Sequence, residues 1–280
     1  MADQTLAQSG AVSEVHPSLA GRPMERIVPG EAAERLYPDH LERYRFASRF
    51  VEGRVVLDVA CGVGYGAPIL HGAGARRYIG VDISPEAIGV AEERYRCSPG
   101  VSFRVGDACR LSGIGDASID VAISFETIEH LAEPGYFLAN LRRVLAPGGL
   151  LIISTPNRTL SNPLGNLDSA PGNPFHIREW NPKEFEAFLK SSFKVEQSLG
   201  QAPLHFARAL WTQGKALILR QTREHRHVEW FVTTYRTAML QWTKHPSPGS
   251  AYDAPVQSIK PWQCRTFIVC VCKPLPFARR

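Results

Sequence analysis

The chain has 280 residues, 44% of them hydrophobic, which suits one globular domain with extensions or a cap and leaves ample chain to bury a core. Its net charge of +5 never gathers into a block of five like charges, so a solvated surface is the reading and a nucleic-acid arm is not. No apolar run approaches the roughly 20 residues a membrane span needs, the N-terminal MADQTLAQSGAVSEV lacks the basic and apolar regions of a secretory leader, and the six cysteines form no C-x-x-C pair, so a cytoplasmic protein with reduced, buried thiols is expected.

Residues 1–24 are polar and small and are expected to be disordered. Residues 25–52 read as a helical cap: Ala33, Leu36, Leu41, Tyr44, Phe46, Ala47 and Phe50 recur at helical spacing, with a break near Pro38. A core then runs from 53 to 200. It opens on Val55-Val56-Leu57-Asp58-Val59, a strand that ends in the glycine-spaced turn Gly62-Val63-Gly64-Tyr65-Gly66 and feeds a helix. A buried parallel strand, a glycine turn and a helix are how an α/β sheet presents a nucleotide-like ligand at its carboxyl edge. The same pattern also makes an ordinary strand-to-helix turn. Asp58 sharpens the reading, because a carboxylate here would repel a pyrophosphate and welcome an ammonium group.

The next strand, Tyr78 to Asp82, again ends in an acid, placed where it can accept ribose hydroxyls. Ser84-Pro85-Glu86 starts a helix with a hydroxyl cap, a first-turn proline and an acid. A third strand, Val101 to Val105, leads to Asp107, which could equally cap a turn. The fourth, Ile119 to Phe125, runs into Glu126-Thr127-Ile128-Glu129-His130. A helix over Pro134–Leu145 stops at Pro147-Gly148-Gly149, and a fifth strand covers Leu150–Ser154. A loop rich in Asn, Pro and Gly runs to Phe175 and closes on His176-Ile177-Arg178-Glu179-Trp180, before a capped helix at Asn181. Sixth and seventh strands are expected at Phe193–Gln197 and Cys264–Lys273. Between them, residues 201–262 read as a helical insertion carrying Trp211, Trp230, Phe231, Tyr235, Met239 and Trp242. It could be a substrate lid, a homodimer contact or a helix pair packed on the core. Residues 263–280 complete the strand and a tail.

DVACGVG at 58–64 resembles motif I of the class I S-adenosylmethionine-dependent methyltransferases, commonly D-x-x-C/G-x-G-x-G, and RVLAPGGLLIISTPN at 143–157 resembles a later segment of that family. The resemblance covers residues 50 to about 200. Within the family the pattern is similar to that of a broad bacterial group related to the ubiquinone-biosynthesis O-methyltransferases. It implies an α/β fold: a Rossmann-like seven-stranded sheet with helices on both faces, here with the helical insertion before the last strand. It also implies S-adenosyl-L-methionine as cofactor. Asp58, Ala60, Gly62, Gly64, Tyr65, Asp82, Ile83, Asp107, Ala108 and Phe125 would then line the cofactor, with Asp58 and the backbone near Gly62 by the methionine half, Asp82 by the ribose and Asp107 by the adenine. His40 and Tyr44 of the cap would either face the cofactor or only pack on the sheet.

Methyl transfer from a sulfonium is an in-line displacement, so the protein chiefly aligns donor and acceptor, and a hydroxyl acceptor gains from a base. Glu126, Glu129 and His130 stand at i, i+3 and i+4 and would share one face if their turn is helical. They are either a metal half-site, a base with its orienter, or a capping cluster. Small-RNA 2′-O-methyltransferases carry a similar E-x-x-E-H and a later histidine as metal ligands, which implies Glu126, Glu129, His130 and His176 here. That donor set suits magnesium or manganese. Without a metal, His130 would be the base, with Glu126 and His176 beside it. The leading expectation is an enzyme methylating a small molecule, at a hydroxyl of a sugar, a quinone-like compound or a secondary metabolite. The alternatives are an RNA 2′-O-methyltransferase, an N-methyltransferase of a metabolite, and a cofactor-binding regulatory module. A nucleic-acid partner is disfavoured by the modest charge and the lack of a recognisable RNA-binding module.

Overall fold

Strands that are apolar at nearly every position must be covered on both faces. The runs VVLDV, YIGVD and IDVAIS meet that demand in the centre of a seven-stranded sheet. The computed structural model describes residues 37–95, 98–162, 165–205, 256 and 263–276. Its elements are α1 (Tyr37–Ala47), a 3-10 turn at Ser48–Phe50, β1 (Val55–Val59), α2 (Ala67–Gly72), β2 (Arg77–Asp82), α3 (Pro85–Tyr95), β3 (Val101–Val105) and β4 (Ile119–Ser124). A 3-10 turn at Ile128–His130, α4 (Pro134–Val144), β5 (Leu145–Pro156), α5 (Arg158–Ser161), α6 (Pro182–Leu189), β6 (Phe193–His205) and β7 (Gln263–Pro274) follow.

The strand order is β3-β2-β1-β4-β5-β7-β6. β1 to β5 are parallel to one another, and β7 lies antiparallel between β5 and β6. β1 pairs with β2 on one side and with β4 on the other, so the topological switch point falls at the end of β1.

The two-residue period of the strands divides the core in two. Leu57, Val59, Ile79 and Val81 pack with Phe137, Leu138 and Leu141 of α4 and with Phe185 and Leu189 of α6. Val56, Tyr78, Val121 and Ile123 face the other way, toward Tyr44 and Ala47 of α1 and Ala67 and Leu70 of α2. Helices thus cover both faces. Each fully buried side chain such as Phe137 or Leu141 contributes roughly 1.5–3 kcal/mol of transfer free energy. Helix entry follows the sequence cues: Ser84 Oγ accepts from Ala87 N at 3.1 Å, and Asn181 with Glu184 forms a complete capping box.

Pro38 sits in the first turn of α1, where its missing N–H costs nothing, and the stretch before Tyr37 that would show a break lies outside the described residues. Two local expectations change. Pro147-Gly148-Gly149 is not a gap before β5: the strand begins at Leu145, and these residues form an irregularity that shifts the register between Ile119↔Leu145 and Val121↔Leu150. Gly148 takes φ 79° there, and a Cβ on Gly149 would stand 2.9 Å from Ala146 O, so the glycines serve the bulge. β6 runs on to His205, past the expected boundary at 200, because β7 pairs with it along its length. The tail at 1–24, the cap before Tyr37 and the insertion beyond His205, with its tryptophans, lie outside the described residues, apart from Val256, which is buried against the α1 side. Among the described residues no helix is long and apolar enough to cross a membrane.

Candidate active site

The chain leaves β1 through Ala60, Gly62 and Gly64, all at positive φ (62°, 56° and 76°). The glycines are not equivalent. A Cβ on Gly64 would stand 2.7 Å from the Phe103 ring and 2.9 Å from Ala91 Cβ, and one on Gly66 would enter the Tyr44 ring. These two are small so that α1, α3 and β3 can close on the loop. A Cβ on Gly62 would meet nothing nearer than a Tyr65 ring carbon at 4.0 Å. Gly62 is therefore the position whose backbone a ligand can approach.

The three strand-end acids have distinct surroundings. Asp58 is buried on the α1 face of β1. It accepts from the Tyr78 hydroxyl at 2.6 Å and the Tyr44 hydroxyl at 2.9 Å. Burial raises its carboxyl to about 7; the two phenols pull it down and Asp82 pushes it further up. Asp82 takes the Gly62 N–H on Oδ2 and the Ser84 N–H on Oδ1, both at 2.9 Å, and so ties β2 to the glycine loop. Each of its oxygens keeps a second lone pair for a hydroxyl donor. Asp107 accepts from Cys109 N at 2.7 Å on Oδ1. Its Oδ2 is buried without a hydrogen bond among the described residues; only Arg110 Nε stands near, at 3.8 Å. A buried acceptor in that state fits an incoming N–H donor.

The remaining expected contacts gather at the same edge. Ala60 is exposed, Ile83 and Ala108 are half-buried, and Phe125 and Tyr65 are buried edge-on against Tyr44, with ring centroids at 5.2 and 5.5 Å. The Tyr65 hydroxyl lies 3.1 Å from His40 Nδ1. Burial, aided by Arg43, holds His40 well below the ordinary histidine range and so uncharged. Tyr44 is committed to Asp58 and packs against Gly66.

Past β4 the shared face of Glu126, Glu129 and His130 does not form. Glu126 is in the left-handed region at φ 51°, and only Ile128–His130 is helical, as a 3-10 turn. Glu126 turns to Ser154, whose hydroxyl donates to Oε1 at 2.6 Å, and toward Arg43 Nη1 at 3.9 Å. Glu129, His130 and His176 do converge: one ligand atom from each lies within 4.8 Å of the others. Glu129 is buried and accepts from Thr155 at 3.1 Å. Its Oε1 has no hydrogen bond among the described residues and stands 3.9 Å from His130 Nε2. Burial, and secondarily Glu126, holds this carboxyl well above the usual range. The Phe175 carbonyl, 3.0 Å from His130 Nδ1, makes that nitrogen the donor and Nε2 the acceptor of the neutral ring. The His176 ring meets that of His130 edge-on at 4.8 Å. The distant histidine arrives because Ile177 N and Arg178 N both donate to Glu129 O, at 2.8 and 3.2 Å.

Two site residues escaped sequence reasoning. Arg43 is fully buried, with Nη1 on Gln201 Oε1 at 2.8 Å and its guanidinium 4.6 Å from the Phe267 ring centroid. Its Nε and Nη2 have no hydrogen-bond partner among the described residues. A buried cation with so little compensation points to an anion. The only signal was an arginine among the apolar positions of α1. Glu179 is buried against His176, and H-x-x-E spacing was its signal.

Residues 57–153 match a family model described as a methyltransferase domain. A probable S-adenosylmethionine-dependent methyltransferase of Mycolicibacterium smegmatis is 39% identical over 178 residues, which are 63% of this chain and 66% of that protein. A ubiquinone biosynthesis O-methyltransferase of Rhizobium rhizogenes is 33% identical over 115 residues, 41% of this chain and 46% of that one. The chain thus spans just under two thirds of the first relative and under half of the second. A solved structure from Thermotoga maritima, described as an S-adenosylmethionine-dependent methyltransferase, possible histamine N-methyltransferase, superposes with TM-score 0.54 over 86% of this chain and 91% of that one. At 19% identity it shares the fold.

Proposed function

We propose, from the premise that the chain carries the domain of an S-adenosylmethionine-dependent methyltransferase, that it transfers the cofactor's methyl group to a hydroxyl of a small-molecule acceptor. The observation that carries the proposal is the alignment along one sheet edge of the open Gly62 loop, Asp82, the Asp107 Oδ2 that has no hydrogen bond among the described residues, and the Glu129–His130–His176 cluster. S-adenosylmethionine supplies a methyl group activated on a sulfonium. In this reading Asp107 Oδ2 accepts from the adenine amino group, Asp82 holds the ribose hydroxyls on its remaining lone pairs, and Gly62 lets the methionine half lie against the backbone. Arg43 receives the methionine carboxylate, which gives its guanidinium the anion that burial calls for. His130 Nε2 takes the proton that the acceptor oxygen loses as it gains the methyl group. Phe175 O holds the ring in the tautomer that makes Nε2 the base.

A second reading rests on Glu129 Oε1, a buried carboxylate oxygen beside two imidazoles. Glu129, His130 and His176 fit a magnesium- or manganese-like ion, with Glu126 outside the set. Such an ion would lower the acceptor hydroxyl's pKa in place of a protein base. Incubation with methyl-labelled cofactor and either extracted metabolites or RNA, with and without a chelator, tests both. Label in an alkali-stable methyl ether of a small molecule supports the proposal. Label only in RNA, only on nitrogen, or nowhere would overturn it. Loss of transfer on chelation, restored by manganese, would select the second reading.

A further inference from the structure

We infer that Glu179 is a positioning residue that fixes His176 as its Nδ1–H tautomer, leaving the lone pair of the ring on Nε2. The inference rests on the reading of Glu129, His130 and His176 as the acceptor-activating cluster. Two independent chains of hydrogen bonds lead to the same tautomer. On one side, Glu179 Oε1 lies 2.5 Å from His176 Nδ1. A carboxylate can only accept, and the other Glu179 oxygen is already taken by the Ser161 hydroxyl. Nδ1 must carry the hydrogen. On the other side, the backbone N–H of Phe175, a donor by necessity, points at Asn173 Oδ1 at 3.0 Å. That fixes the Asn173 amide with Nδ2 toward His176 Nε2, also at 3.0 Å. Nε2 must accept, which again leaves the hydrogen on Nδ1.

Glu179 can do this because it is held at both ends. Its Oε2 accepts from the Ser161 hydroxyl at the end of α5, and the backbone beside it is anchored where Trp180 O accepts from Arg158 N at 2.9 Å. The segment from His176 to Trp180 is thus strapped to Glu129 on one side and to the end of β5 on the other. A carboxylate behind an imidazole is the arrangement that orients a histidine ligand or base and raises its basicity. Here it also sets the ring that packs edge-on against His130.

The test is the imidazole nitrogen spectrum of the full chain, labelled with nitrogen-15 at histidine and free of cofactor. His176→Asn identifies the signal by its loss. In the wild type, His176 should show a protonated Nδ1 and an unprotonated Nε2. Asn173→Ala, which leaves Glu179 in place, should keep that tautomer, whereas adding Glu179→Leu to it should shift the ring to Nε2–H or to a mixture. Manganese affinity should fall about 10–100-fold in Glu179→Leu if the cluster holds an ion. An Nε2–H ring in the wild type would overturn the inference, and that measurement needs no variant to fold. An unchanged tautomer in the folded double variant, or one already lost in Asn173→Ala, would overturn it as well. Absence of methyl transfer or of manganese binding bears on the function proposed above and leaves the tautomer readout standing.

Discussion

Replacing Asp58 by asparagine should stabilise the protein, and the gain should depend on pH in a defined way. Asp58 is buried with two phenol hydroxyls and, among the described residues, no cation against it, and its carboxyl rises from an ordinary 3.8 to about 7. The sign follows from proton counting. Between these values the folded chain keeps a proton that the unfolded chain has lost, so stability falls as pH rises through the window and levels off above it. A shift of about 3 units corresponds to about 4 kcal/mol at pH 8. Below pH 4 the group is neutral in both states and the variant has little to gain. The asparagine side chain is never charged and can still accept from one tyrosine and donate to the other. Urea unfolding of both proteins, followed by tryptophan fluorescence from pH 4.5 to 8.5, isolates the effect as a difference in which the other titrating groups largely cancel. The stability of the variant minus that of the wild type should climb through the window to several kcal/mol. A difference independent of pH, or a wild type that is the more stable at pH 8, would falsify the assignment of Asp58 as an uncompensated buried acid.

Other substitutions address the edge of the sheet. Gly64→Ala places a methyl 2.7 Å from Phe103 at a residue with φ 76°, and overpacking with left-handed strain should cost about 2–4 kcal/mol, read as a lowered melting temperature. Asp107→Ala should weaken S-adenosylmethionine binding by about 1–3 kcal/mol in calorimetry; unchanged affinity would remove Asp107 from the adenine. Arg43→Gln should weaken S-adenosylmethionine by about 1.5–3 kcal/mol yet leave 5′-methylthioadenosine, which lacks the carboxylate, as tightly bound as before. Equal loss for both ligands would make Arg43 a structural residue.

Much of this edge was legible because strand ends announce themselves. Apolar runs that stop at an acid or a glycine located β1, β2 and β3 within a residue, and proline with a capping residue marked α3 and α6. What stayed hidden depends on contacts distant in the chain. The left-handed turn at Glu126 has no local cue, because its φ of 51° is held by Ser154 from a neighbouring strand. Three residues that looked equivalent by spacing were therefore divided, and Glu126 was separated from Glu129 and His130. The role of Asp58 likewise depends on Tyr44 in α1 and Tyr78 in β2, which the sheet brings to one face. The extent of β6 could not be read from its own residues, since its far half is set by pairing with β7.

The most direct test of the central claim is one experiment on His130→Ala: S-adenosylmethionine affinity and the rate of labelled methyl transfer to a hydroxyl acceptor, compared with the wild type. His130 stands past β4 in the cluster with Glu129 and His176, while Asp82 and Asp107, the acids proposed to hold the adenosine, lie at the ends of β2 and β3. Affinity should stay within about twofold while transfer falls about 100-fold or more, the scale of a lost general base or metal ligand. Transfer at the wild-type rate, or affinity and transfer lost together, would contradict a cluster that acts on the acceptor.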